Sequence, residues 1–140
     1  MTTMIHGLIE FKADRLRNEW ELVDPRLRGA LLEIARFMLI RFGKSFLVTC
    51  VMRTPEENRA DKGEPDSGHL VQADGSVRAV DVRTRIHGRA DVGYPGLCND
   101  EISEIVTYWY DNFRHGQSWS CLYHGGSHEN MHLHFQVPAR

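Results

Sequence analysis

Apolar residues recur every three or four positions along one long stretch of the chain, as they do on one face of a helix. Asp24-Pro25 is a typical helix start, because an aspartate caps the free amides and proline fits the first helical position. Gly43 is a typical stop. The pattern predicts a helix over 25–42, whose core-facing stripe is Leu27, Leu31, Ile34, Ala35, Met38, Leu39 and Phe42.

A second helical pattern lies nearer the C-terminus. It is predicted to begin at a cap formed by Asn99 or Asp100 and to end near His115-Gly116. Its apolar stripe consists of Ile102, Ile105, Val106, Trp109, Tyr110 and Phe113. A further short helix or turn is predicted over 55–58.

Shorter runs rich in β-branched and aromatic residues predict strands over 46–52, 70–72, 77–82, 119–123 and 131–137. The runs 70–72 and 77–82 flank Ala73-Asp74-Gly75-Ser76, a turn signal, and so predict a hairpin. Residues 1–20 are weakly patterned and form an arm or a short helix. Two main helices packed on a small, mostly antiparallel sheet predict an α+β fold, with residues 1–140 in a single domain.

Composition narrows the class of protein. The 140 residues are 41% hydrophobic and 26% charged, which is typical of a globular domain with its own core. The net charge of −2 and the lack of a Lys/Arg run argue against nucleic acid as a partner. No apolar stretch has membrane-spanning length. A monomer without a membrane partner is expected.

The cysteines and the N-terminal residues give indications of the cellular compartment in which the protein is made. Cys50, Cys98 and Cys121 are odd in number and far apart, which argues against a disulfide framework. Cys50 lies in an apolar run and is expected to be a small buried hydrophobe. Residues 1–14 lack a basic start followed by an apolar core, so no signal peptide is predicted. Synthesis in the cytoplasm is expected, and a separate lysis system would have to release the protein if its target lay outside the cell.

The predicted C-terminal strand has one apolar and one polar face, because side chains alternate along a strand. The apolar face carries Met131, Leu133, Phe135 and Val137. The other face carries His132, His134 and Gln136, so two imidazoles project into one cleft from a rigid element. A lone strand histidine is usually structural, but this pair is a candidate for metal ligation.

Counting outward along the predicted hairpin places His69 near Asp81. If the loop is the three residues 74–76, residue 73 pairs with 77 and His69 lies opposite Asp81. Their Cβ atoms would then be about 4.5–5.5 Å apart. A two-residue loop would make them diagonal neighbours instead. The two side chains would form either an ion pair or two ligands of one metal.

Together, His69, Asp81 and His132 make a set of two histidines and one carboxylate with room for a fourth ligand. A catalytic zinc has three protein ligands and a water, whose pKa it lowers to about 7. Glu129, three residues before His132, is a candidate general base, although a solvated loop carboxylate is the simpler interpretation without its neighbour. Arg53 is a candidate to stabilise charge on a carbonyl oxygen, or else a surface arginine.

Four segments in this order resemble the zinc D-alanyl-D-alanine peptidases: Arg53-Thr54-Pro55-Glu56-Glu57-Asn58, Ser67-Gly68-His69, Ala79-Val80-Asp81-Val82 and Glu129-Asn130-Met131-His132-Leu133-His134. That family includes carboxypeptidases, D,D-dipeptidases and phage L-alanyl-D-glutamate endopeptidases, and it shares its fold with the hedgehog signalling domain. The resemblance spans residues 22–137.

The resemblance implies one Zn²⁺ per chain, held by His69, Asp81 and His132. It implies Glu129 as the catalytic base and Arg53 as the residue that polarises the scissile carbonyl. The implied substrate is a peptidoglycan stem peptide, cut by a D-Ala-D-Ala carboxypeptidase or an L-Ala-D-Glu endopeptidase, including phage-type endolysins. A cytoplasmic dipeptidase fits equally well.

The resemblance also implies supporting roles for Ser67 and His134, which would contact substrate or orient a ligand. The family spaces its first two ligands more closely than this sequence does, in which eleven residues separate His69 from Asp81. The additional residues form the tip 74–76 of the predicted hairpin. Because this loop differs from that of the family, the resemblance does not identify which substrate is cut.

Three alternatives remain. Two histidines and a carboxylate also describe non-haem Fe(II) oxygenases, but those commonly place the histidine and the aspartate two positions apart. A non-catalytic metal-bearing module of the hedgehog type is the second. A serine triad of Ser67, His69 and Asp81 is disfavoured by the spacing of the first two. The other histidines are assigned no role, although His124 and His128 flank the last turn.

Overall fold

Six strands and four helices make up the described part of the chain, which in this computed structural model is residues 3–5, 8–60, 67–84, 96–113, 119–125 and 131–139. The strands are β1 Thr3–Ile5, β2 Ile9–Phe11, β3 Phe46–Cys50, β4 Ala79–Arg83, β5 Ser120–His124 and β6 His132–Gln136. The helices are α1 Asp14–Glu19, α2 Pro25–Phe42, α3 Pro55–Ala60 and α4 Asn99–Asn112. A 3-10 turn, Trp20–Leu22, follows α1.

The strands form one sheet in the order β1-β2-β3-β4-β6-β5. Only β2 and β3 pair in parallel, and the other neighbours are antiparallel. The predicted α+β class with a mostly antiparallel sheet is therefore confirmed. The sheet is not small, however, because residues 3–5 and 9–11 add two strands where an arm or a short helix was predicted. Strands of three residues are too short to show alternation in the sequence.

Helices α2 and α4 cover one face of the sheet, and both were predicted. Asp24 caps α2 by accepting a hydrogen bond from the Arg26 amide at 2.9 Å, and Gly43 ends the helix in the left-handed region at φ 67°. The buried helix residues are Leu27, Ala30, Leu31, Ile34, Ala35, Met38, Ile102, Ile105 and Trp109. They share one core with Val80, Val82, Leu133 and Phe135 of the sheet. Leu39 and Tyr110, predicted in the stripes, stay exposed.

The cap of α4 lies one residue before the predicted cap. Cys98 is the capping residue, and its amide donates to the Glu101 carboxylate at 2.8 Å in a capping box. The carboxylate of Glu101 also binds Lys44 Nζ at 2.7 Å. The helix ends at Asn112 with Phe113 as its C-cap, a few residues before the predicted end, and residues 115–116 lie outside the described residues. No helix in the described part of the chain has the length and apolarity that a membrane span requires.

The predicted hairpin is wrong in its first strand, because residues 70–72 form no strand. The turn itself is present, closed by the Gln72 amide on the Ser76 carbonyl at 2.7 Å and the Gly75 amide on the Gln72 carbonyl at 2.9 Å. Strand β4 pairs instead with β3 and β6. Both of its edges are therefore occupied, and residues 70–72 have no free edge of β4 to join.

Candidate metal centre

The sheet face away from α2 and α4 carries the polar side chains of the inner strands. In the ladder, Asp81 on β4 lies opposite Cys50 on β3 and His134 on β6. Strand β3 shifts its register after Val48, so that one extra residue on β3 precedes Cys50. A bulge of this kind re-aims the residues next to it. Here it places Cys50, rather than the preceding threonine, beside Asp81.

Asp81 is the hub of the site, although it is only 4% exposed. Its Oδ1 lies 2.8 Å from His134 Nδ1 and 3.2 Å from His69 Nε2. Its Oδ2 lies 3.5 Å from His132 Nε2 and 3.8 Å from Arg53 Nη2. Burial by itself would raise the pKa of Asp81, but the charge of His69 and the hydrogen bond from His134 outweigh it. The pKa is held well below its usual range, so the carboxylate is charged.

The imidazole of His69 is oriented through one nitrogen and unsatisfied at the other. His69 is 1% exposed, and its Nδ1 lies 2.8 Å from the Val51 carbonyl, which can only accept a hydrogen bond. The buried Nε2 lies 3.2 Å from Asp81 Oδ1 in an ion-pair contact, without a well-formed hydrogen bond among the described residues. A histidine that binds a metal through one ring nitrogen commonly donates the other ring N–H to a carbonyl in this way.

A proton and a metal ion would compete for Nε2 of His69. Burial disfavours the charged ring of His69, but the Asp81 carboxylate beside it outweighs burial and raises the pKa of His69 to about 10. The metal-free pair is therefore an imidazolium beside a carboxylate. A cation binding at Nε2 would displace the proton and keep the carboxylate neutralised.

The backbone around His69 is held by the residues on either side of the site. The His69 amide donates to Ser67 Oγ at 3.2 Å, and the Arg53 amide donates to the His69 carbonyl at 2.9 Å. Gly68 lies directly over the sheet, where an added Cβ would come within 2.7 Å of Ala79 Cβ and 2.8 Å of Gln136 Oε1. The loop is therefore pressed onto β4 and β6, and this brings His69 to Asp81.

Three histidines lie together on the last two strands. His124 is directly opposite His132 in the β5–β6 ladder, and His134 is two positions further along β6. One ligand nitrogen of each lies within 4.8 Å of the other two. His134 is also bound at both ring nitrogens, to Asp81 and, at 2.9 Å, to Gln136 Oε1. Burial and the neighbouring His132 and His134 lower the pKa of His124.

Most of the sequence-predicted site residues meet here. Arg53, His69, His132 and His134 all contact Asp81. Ser67 accepts a hydrogen bond from the His69 amide, and its predicted supporting role stays a prediction. Glu129 lies outside the described residues.

Two residues at the site were not assigned a role from the sequence. Cys50 was expected to be a buried hydrophobe, but it is only partly buried, and its Sγ lies 3.6 Å from His69 Nδ1. Together with His69 and Asp81 it forms a group of ligand atoms within 4.8 Å of one another. No sequence signal marks the bulge that puts Cys50 there. His124 could have been found by counting outward from the last turn, since it and His132 are equally far from residue 128.

The donors suit a borderline transition-metal cation, because imidazole nitrogen, carboxylate oxygen and thiolate sulfur are the ligands of zinc in proteins. The orphaned, buried Nε2 of His69 supports that fit. Comparisons with protein-family models, with curated proteins and with solved structures gave no match to this chain. The case for a function therefore rests on the residues of the site.

Proposed function

We propose that this chain is a zinc-dependent peptidase that hydrolyses an amide bond in peptidoglycan stem peptides, with a hedgehog-like peptidase fold. The observation that carries the proposal is the buried, charged Asp81 with His69, His132 and Arg53 directed at its oxygens. A buried carboxylate is costly unless it is paired or binds a metal. An array of histidines around it, one with a buried unsatisfied nitrogen, supports the metal.

His69, Asp81 and His132 would hold the zinc, as the sequence resemblance implies. A zinc ion at such a site supplies Lewis acidity and makes water acidic enough to act as a nucleophile near neutral pH. The surrounding chain keeps the ligands in place. The Val51 carbonyl orients His69. The Nδ1 of His134 contacts Oδ1 of Asp81, and the Nε2 of His134 contacts Gln136.

Two observations support a contact between Arg53 and the substrate. Its Nη2 lies 3.8 Å from Asp81 Oδ2, and its side chain is 22% exposed. The guanidinium therefore reaches the site and remains accessible from solvent. In the proposed reaction it donates to the carbonyl oxygen of the scissile amide, where negative charge develops as the carbon becomes tetrahedral.

Glu129 is assigned the proton transfers from its position in the sequence. Its carboxylate takes a proton from the attacking water while the water oxygen bonds to the carbonyl carbon. The carbon–nitrogen bond then breaks, and Glu129 returns the proton to the leaving amine. The immediate products are a carboxylic acid and an amine. Near neutral pH the acid loses its remaining proton and the amine gains one, so protons and charge balance.

Digestion of purified peptidoglycan, followed by mass spectrometry of the new termini, tests the proposal. Released D-alanine would identify a carboxypeptidase, and a new amino terminus on D-glutamate would identify an endopeptidase. Asp81→Asn is the control, since it keeps the shape of the side chain but not its charge. Zinc-loaded protein that creates no new termini would contradict the proposal and favour the non-catalytic module. Iron in place of zinc would favour the oxygenase alternative.

A further inference from the structure

His124 belongs to the cluster on β5 and β6, but the proposed peptidase does not use it. The ladder pairs it with His132, and both project from the same face as His134. The ring centroid of His124 lies 4.8 Å from the ring centroid of His132 and 5.3 Å from that of His134. Three imidazoles are therefore gathered on adjacent positions of two paired strands.

His134 is held by its hydrogen bonds to Asp81 and Gln136, and neither of these bonds involves His124. One ligand nitrogen of each of the three rings lies within 4.8 Å of the other two, which is close enough for a single cation to contact all three. Three histidines are also a complete protein ligand set for catalytic zinc, with the fourth position open.

We propose that the chain binds a second divalent cation of the zinc class on His124, His132 and His134. The inference rests on the proposed function for the first cation. Asp81 stands between the two sites, with Oδ1 next to His69 and His134 and Oδ2 next to His132. Asp81 therefore contacts residues of both proposed ligand sets. Paired metal ions that share ligands are a known device for hydrolysis of amide and phosphate bonds.

His132 is common to both ligand sets, and the structure offers a way to divide them. With both ions bound, His132 serves the three-histidine site. Cys50, within 4.8 Å of His69 and Asp81, is then the donor that completes the first site. His134 would bind the second ion through Nε2, which contacts Gln136 Oε1 in the absence of an ion, because its Nδ1 contacts Asp81.

The number of ions per chain tests the proposal. Purified protein is loaded with Zn²⁺, dialysed and measured by elemental analysis, alongside His69→Ala, His124→Ala and Leu122→Ala. Wild type should hold two ions and each histidine variant one. Leu122 is exposed and lies on the same strand as His124, so Leu122→Ala should still hold two. His124 is exposed as well, so its replacement leaves the core intact; circular dichroism checks the fold.

The outcomes separate this inference from the proposed function. One ion in wild type, lost in His69→Ala but kept in His124→Ala, overturns the second site and leaves the proposed peptidase standing. One ion kept in His69→Ala but lost in His124→Ala supports the three-histidine site and overturns the first ligand set. No bound ion in wild type overturns both.

Discussion

Asp81 shows at the scale of one residue why the site is both costly and specific. Its carboxylate is removed from water, and this is tolerated because imidazoles and the Arg53 guanidinium lie around both oxygens. These groups come from three separate segments of the chain: Arg53, His69, and the strand β6 that carries His132 and His134. Loss of the charge at Asp81 would weaken its contacts with the buried His69 and with His134, so the residue affects folding as well as metal binding.

Glu129→Gln separates proton transfer from metal binding. The amide has nearly the same shape but cannot accept the proton of the attacking water. We expect turnover to fall by about 10²–10⁴-fold, the usual contribution of a general base. Zinc content should be unchanged, because Glu129 is not among the proposed ligands. The measurement is the rate of release of peptide termini beside elemental analysis, and retained activity would refute the assigned role.

The stability of the metal-free chain should depend on pH through His69 and Asp81. Folding raises the pKa of His69 to about 10, so its contribution is complete below its unfolded pKa of about 6.5 and is lost as the pH rises toward 10. Folding lowers the pKa of Asp81, so its contribution is present above its unfolded value of about 3.9 and is lost in acid.

We therefore expect the Tm of chelator-treated protein to be highest between about pH 4 and 6.5 and to fall by pH 9. Thermal unfolding followed by circular dichroism measures it. In His69→Gln, which cannot be charged, the decline above pH 6.5 should be much weaker. An equal alkaline decline in wild type and His69→Gln would show that another group is responsible.

At the scale of the elements, a bulge and a loop assemble the site. The register shift in β3 places Cys50 beside Asp81, and the loop containing Gly68 crosses the sheet to deliver His69. The close approach at Gly68 requires the absence of a Cβ, since Ala79 belongs to an inner strand and cannot move away.

Gly68→Ala and Gly29→Ala make a matched pair. The new methyl at 68 would lie 2.7 Å from Ala79 Cβ, so we expect a loss of about 1–3 kcal/mol in the free energy of unfolding and weaker zinc binding. At position 29, exposed in α2, an added Cβ meets no atom within 4 Å. That change should raise stability by about 0.5–1 kcal/mol. Chemical denaturation measures both, and equal effects would contradict the loop's position.

At the scale of the molecule, the sheet separates the hydrophobic core from the candidate metal ligands. One face of its inner strands packs against α2 and α4, and the other holds the histidines and Asp81. The proposed ligands come from β4, β6 and the loop after α3, which meet only in the folded chain. A metal bound there is linked to global folding, because the unfolded chain does not hold its ligands together.

Metal removal should therefore lower the Tm of the whole domain. A free zinc concentration about 1,000 times the Kd stabilises the folded state by about 4 kcal/mol. For a chain of this size that corresponds to a shift on the order of 10 °C. Differential scanning calorimetry with and without a chelator measures the shift, and restored zinc should reverse it. The chelator should have a far smaller effect on Asp81→Asn, and an unchanged Tm in wild type would count against a bound metal.

The sequence by itself determined the two main helices and the division of β6 into an apolar and a histidine-bearing face. Both follow from local periodicity, and the caps at Asp24 and Gly43 are local signals as well. The sequence also picked out the residues that meet at Asp81, because the spacing of His69, Asp81 and His132 resembles a known pattern. The structure brings the side chains of His69 and His132 to Asp81.

Only the tertiary structure decided how these residues come together. Residues 70–72 were expected to pair with β4, but β3 and β6 occupy both edges of that strand, and edge competition is not visible in a local pattern. The bulge beside Cys50 has no sequence signature either. Strands β1 and β2 are too short to predict from alternation. In each case the outcome depends on contacts between distant segments, which periodicity along the chain does not record.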